Sequence, residues 1–155
     1  MQNEQKPTGI MAVIALAGLL AGSLGACSQS DGIDRSGAVF EGIGPGATIT
    51  LAGTEPFWSV EITPQADGGY LARFSSPDDT DASPFAVTRF AGNNGLGFTG
   101  ERDGATVQIA ITPGECSDNM SDATYPFTAT VGLGEQTLFG CGETDEVPAT
   151  GRENS

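Results

Sequence analysis

Histidine is absent from the 155-residue chain, and lysine and tryptophan each occur once, as Lys6 and Trp58. Without histidine, a serine or cysteine nucleophile lacks its usual activating base, and metal sites built on imidazole are excluded. Positive charge is scarce: six basic residues face twenty acidic ones, for a formal charge of −14. Such a chain repels phosphate backbones, which argues against nucleic-acid binding. A cationic partner suits it better, although a plain solubilising excess or a salty habitat would leave the same balance. No stretch shows the 3.6-residue periodicity of an amphipathic helix. The one long apolar run, Ile10–Leu24, falls short of the ~20 residues that a spanning helix needs.

That run has a job of its own. Lys6 precedes it, glycines interrupt it and small residues follow, which is the shape of a secretory leader whose front is weakened by Glu4. Its end, Leu24-Gly25-Ala26-Cys27, resembles the lipobox of bacterial lipoproteins. The resemblance implies that the leader, residues 1–26, is cut before Cys27 and that Cys27 carries acyl chains. An ordinary leader or an uncleaved anchor with an incidental cysteine is the alternative. One acyl chain, at ~0.8 kcal/mol per buried methylene, holds a protein only marginally, whereas two or more hold it stably. Ser28 follows where Asp would otherwise stand, which by resemblance to Gram-negative lipoproteins implies an outer-membrane protein facing the periplasm.

With Cys27 taken by lipid, Cys116 and Cys141 remain in an oxidising compartment, where an even pair implies a bridge. Removing the leader removes both Lys6 and Glu4, so five arginines and nineteen carboxylates remain and the charge stays at −14.

The stretch 27–45 is rich in Gly, Ser and Asp and reads as a flexible spacer. Residues 143–155 read as a disordered acidic tail. Between them, 46–142 alternates with period two: Trp58, Val60 and Ile62 against Ser59 and Glu61; Tyr70, Ala72 and Phe74 against Leu71 and Arg73; Val107, Ile109 and Ile111 against Gln108 and Ala110. Asp67-Gly68-Gly69, Asn93-Asn94-Gly95, Asp103-Gly104 and Gly132-Leu133-Gly134 mark turns. Strands are predicted at 47–52, 57–63, 69–75, 85–91, 96–101, 105–112, 125–131 and 136–141, with Arg89 interrupting the apolar face of the fourth. The fold class is all-β: a small antiparallel meander of about eight strands closing into a β-barrel, with a sandwich as the alternative.

Two motifs stand out. In "GECSDNMSDATYPF", residues 114–127, a long loop over 113–124 carries Cys116 back across the last hairpin, with Cys141 about opposite Thr128. As a calcium loop it fails: Met120 stands where the EF-hand pattern needs Asp or Asn, and the downstream Gly and Glu are missing. Asp118 and Asp122 are expected to bond amides of their own turns. In "GTEPFW", residues 53–58, Trp58 is either a core anchor plugging one barrel end or a ligand-cavity wall with Glu55 at its rim. Asp78, Asp79 and Asp81 form a further acidic cluster that reads as a solvated loop. No carboxylate pair is singled out for glycoside hydrolysis. The Gly-x-Gly pattern of "GNNGLGFTGERDG" lacks the helix and Lys-Ser/Thr of a phosphate loop, so those glycines serve turns and bulges.

"GTEPFW", "CSDNMSDATYPFTATV" and "TLFGC" together resemble an uncharacterised family of bacterial envelope lipoproteins, over about residues 50–142. The family's usual Cys-x-Asp-Gly-Met has Asn119 in place of glycine here, and asparagine tolerates positive φ. The resemblance makes Cys116 and Cys141 the family's cysteine pair and implies no catalytic residue. The chain is therefore read as non-enzymatic, with no metal and no cofactor. It is expected to be a lipid-anchored binding or structural module facing the periplasm, held to the membrane through Cys27, that takes a small ligand or a cationic protein. An inhibitor of a cationic enzyme such as lysozyme is the alternative, since membrane-bound lysozyme inhibitors are similar lipobox-bearing, disulfide-containing barrels.

Overall fold

The structure, a computed structural model, describes residues 39–79 and 82–151. The expected leader 1–26, the expected lipidation site Cys27, residues 28–38 of the expected spacer, Thr80, Asp81 and the last four residues lie outside the described residues. Eight antiparallel strands run in chain order and close on themselves: β1 Ile49–Thr54, β2 Phe57–Pro64, β3 Tyr70–Ser75, β4 Phe85–Ala91, β5 Leu96–Arg102, β6 Ala105–Ser117, β7 Thr124–Leu133 and β8 Gln136–Thr144. Closure comes from β1 pairing with β8, Ile49 opposite Thr144 and Ala52 opposite Cys141. The fold is thus a barrel rather than a sandwich, and closure leaves no edge strand among the described residues.

Period-two patterning decides which face of each strand turns inward. Leu51, Val60, Ile62, Ala72, Phe98, Val107, Ile109, Ile111 and Val131 are buried together. Thr50, Glu61, Arg73, Thr88, Thr99 and Gln108 alternate with them and are exposed. An eight-stranded barrel is just wide enough for such side chains to fill. At the tip between β5 and β6, Asp103 and Gly104 have φ of 52° and 77°, the left-handed pair that a two-residue hairpin turn demands.

Three expectations need correction. First, β6 does not stop at residue 112. Pro113 has no N–H to give the ladder, so a bulge spans Pro113 to Cys116 and pairing resumes with Cys116 opposite Tyr125. Cys116 therefore lies in a strand, and the connecting loop shrinks to 118–123. Second, residues 39–45 of the expected spacer are packed on the barrel. Ile43 is buried and Phe40 packs on the core, with the Phe40 amide bonded to the Gly92 carbonyl. Arg89, read as a flaw in β4, donates to the Ile43 carbonyl at 3.0 Å, and the Tyr70 hydroxyl donates to Pro45 at 2.8 Å. This strap closes the barrel end opposite the β1–β2 hairpin. Two large apolar residues among glycines were too few to signal it.

Third, the tail is ordered through Gly151. Glu143 and Thr144 belong to β8, and the Thr48 amide donates to Asp145. Thr124 and Thr150 exchange backbone bonds at 2.9 Å. Polar bonding rather than apolar burial holds this segment, so composition concealed it. The ordered body accordingly runs wider than 46–142 at both ends.

Candidate functional site

The β1–β2 hairpin turns on Glu55 and Pro56 through a cis peptide, with Thr54 opposite Phe57. Trp58, the next residue, points inward, 4% exposed, and joins the core cluster. Its indole lies against Gly53 on β1 and Gly140 on β8, where any β-carbon would collide with the ring. Both glycines are therefore required by close approach rather than by a turn. The indole Nε1 is buried without a hydrogen-bond partner among the described residues. Trp58 acts as the expected anchor of this barrel end. It also borders two hollows, and Glu55 lines a third that shares Ala52, Gly53, Thr54, Phe57 and Asp118 with the first of them.

The second motif is held by its own bonds. Past the bulge, Cys116 reaches beyond β7 to Cys141 on β8, and the two form a disulfide with alpha carbons 5.5 Å apart. Cys141 pairs with Thr128, as the hairpin register predicted. Asp118 then ties the loop: it accepts from the amides of Met120 at 3.0 Å and Ser121 at 2.9 Å, from the Ser121 hydroxyl, and from the Tyr125 hydroxyl. Asn119 takes φ of 56° between them, a left-handed conformation that asparagine tolerates. Asp122 makes no such side-chain bond among the described residues.

The amide of Met120, followed by that of Ser121, holds the Asp118 carboxyl below its ordinary range, against some opposing desolvation. A depressed folded-state value means that the contribution of Asp118 is fully present above the unfolded aspartate value, about 3.9. It is lost as pH falls through the folded value. A carbon-detected NMR titration should place the Asp118 midpoint below about 3.9, with the Met120 and Ser121 amide shifts moving in step. A midpoint at or above that value would show that the bonds do not favour the carboxylate.

The bent end of the β6–β7 hairpin brings both motifs to one outer surface. Across the outward faces run Cys141, Ala52, Ser59 and Ser75, each opposite the next in the β8–β1–β2–β3 registers. Ala52, Ser59 and Ser75 leave a trough of about 490 Å³, which Phe57, Asp118 and Tyr125 also line. A second hollow of about 660 Å³ continues it over Glu55, Met120 and Phe139. Phe57, Met120 and Phe139 are 54%, 66% and 69% exposed. Among the described residues, no lysine or arginine lines either hollow.

At the barrel mouth, a smaller hollow of about 270 Å³ has Trp58, Phe74 and Leu138 as lining. Asp79 of the acidic cluster pairs there with Arg102, whose guanidinium sits 5.4 Å from the Phe74 ring centre. Asp79 is thus held by a largely buried arginine at the mouth rather than standing in a solvated loop. Among the described residues, no group of three or more His, Cys, Asp or Glu is placed to hold a metal ion.

Sequence reasoning singled out both motifs but missed Phe139 and the Ala52–Ser59–Ser75 floor. An alternating strand pattern treats small outward residues as ordinary surface, so no signal for the trough was present. Comparison with protein-family models, with curated proteins and with solved structures finds no match for this chain.

Proposed function

We propose that this protein is a lipid-anchored, outer-membrane module of the periplasm that works by binding rather than by catalysis, and that its recognition surface is the trough joining the two motifs. The observation that carries this reading is the exposure of Phe57, Met120 and Phe139 around one continuous hollow. Large apolar side chains gathered in this way mark binding surfaces more often than they mark ordinary exterior. The anchor reading rests on the apolar run and Leu24-Gly25-Ala26-Cys27. Eleven residues, 28–38, separate Cys27 from the strap, a reach of at most ~40 Å. The strap meets the barrel at the end opposite the Glu55–Pro56 tip. A second reading, an inhibitor of a cationic enzyme such as lysozyme, draws on the −14 charge and differs in what occupies the same surface.

Site-specific photo-crosslinking in living cells tests both halves. A crosslinker at Phe139 should give discrete adducts in the membrane fraction, whereas one at Thr99, on β5 across the barrel, should give none. Cys27→Ser should move the protein from membrane to soluble fraction. Equal labelling at the two positions, or a Cys27→Ser protein still sedimenting with membranes, would defeat the reading.

A further inference from the structure

The trough says something about the chemistry of its occupant, given that it is a recognition surface as proposed above. Its walls are wet: Phe57, Met120 and Phe139 each expose more than half of their surface. A small-molecule pocket encloses most of its ligand and hides such walls. An open trough instead suits a polypeptide that supplies its own far side. The floor is shallow, since Ala52, Ser59 and Ser75 project little, so an extended segment fits better than a bulky helix.

Charge narrows the choice further. Glu55 and Asp118 line the trough, and the chain around them carries −14. The described arginines do not offset that field here. Arg89 is bonded to the strap, Arg102 is held by Asp79 and Phe74, and Arg73 stands opposite Glu61. A second copy of this chain would bring a like charge to the same patch, and an anionic lipid surface would be repelled in the same way. A positively charged segment is drawn in.

We propose that the trough takes an extended segment of a cationic protein, with apolar side chains seated among Phe57, Met120 and Phe139 and flanking Lys or Arg side chains facing Glu55 and Asp118. Apolar contact supplies the hold, and the acidic field supplies the direction and speed of approach.

Three short fluorescein-labelled peptides, alternating Lys with Leu, Lys with Ser and Glu with Leu, distinguish the occupants when titrated against the full-length protein in neutral detergent. The Lys–Leu peptide should bind most tightly, and added salt should weaken it. Phe139→Ser with Met120→Ser should weaken it roughly tenfold, and Ser59→Phe, which fills the floor, should do the same. All three substitutions are at exposed positions, so an unchanged thermal transition confirms that the barrel is intact. Equal binding of the Lys–Ser peptide would reduce the interaction to charge alone and overturn the proposal. Equal binding of the Glu–Leu peptide, or no loss in the trough variants, would overturn it too. If the Lys–Leu peptide fails while adducts still form at Phe139, the cationic partner is wrong and the recognition surface stands. If adducts fail as well, both readings fall.

Discussion

Trp58→Ala is expected to destabilise the barrel by about 3–5 kcal/mol, the range for truncating a large buried aromatic. The size of the effect follows from how the site is built. Gly53 and Gly140 have no β-carbon, so the space that the indole leaves has only backbone on two sides. Backbone in closed strands cannot collapse into the void, which puts the cost toward the upper part of the range. Trp58→Phe separates packing from polarity. It keeps most of the ring and removes the unpartnered Nε1–H, whose burial is itself unfavourable. Its cost should be under about 1.5 kcal/mol, as for shape-conserving swaps. Because Trp58 is the sole tryptophan, unfolding by urea should be followed by circular dichroism. Similar costs for the two variants would mean that the indole N–H finds a partner in solution. A loss below about 1 kcal/mol for Trp58→Ala would mean that the ring is not a core anchor.

The same tryptophan shows how far the sequence could be read. Alternation placed Trp58, Val60 and Ile62 inside, and they are buried. Asp103-Gly104 and the 133–135 turn set the registers of two hairpins. These are short-range signals, carried by neighbouring residues and backbone sterics. The features that were missed are long-range or made of small pieces. Proline followed by glycine at 113–114 looks like the end of a strand, and only pairing with Tyr125 shows that the strand resumes. Ile43 looks like part of a linker until Arg89 and Tyr70 are seen holding its segment. The two motifs lie some sixty residues apart and meet because β1 pairs with β8 and the β6–β7 hairpin bends over that seam. Local patterning carries no information on where a closed sheet places its seam. The site was therefore legible as two candidate stretches, and not as one surface.

Replacing Cys116 and Cys141 together by serine is expected to cost roughly 3.5 kcal/mol, the chain-entropy figure for a closed loop of this length. For a body of this size that corresponds to a fall in Tm of roughly 10–20 °C. The position of the bridge adds a local consequence. The β6–β7 ladder shifts register between Pro113 and Cys116, so backbone pairing beyond the bulge rests on Cys116–Tyr125 and Ser117–Thr124. Without the sulfur link to β8, the bent hairpin end keeps the Thr124–Thr150 backbone bonds at its base, but the bonds of Asp118 all stay within residues 118–125 and do not reach Ala52. The trough should thus lose the wall formed by Asp118, Met120 and Tyr125 before the barrel melts. Amide exchange at Met120 and Ser121 should accelerate in the double serine variant well below its Tm, while Val60 and Ile109 in the core remain protected. A Tm within a few degrees of the parent would show that the bent end is held by packing alone. Uniform acceleration across the barrel would show that loop and barrel unfold as one unit, with the bridge serving the whole fold rather than the surface above it.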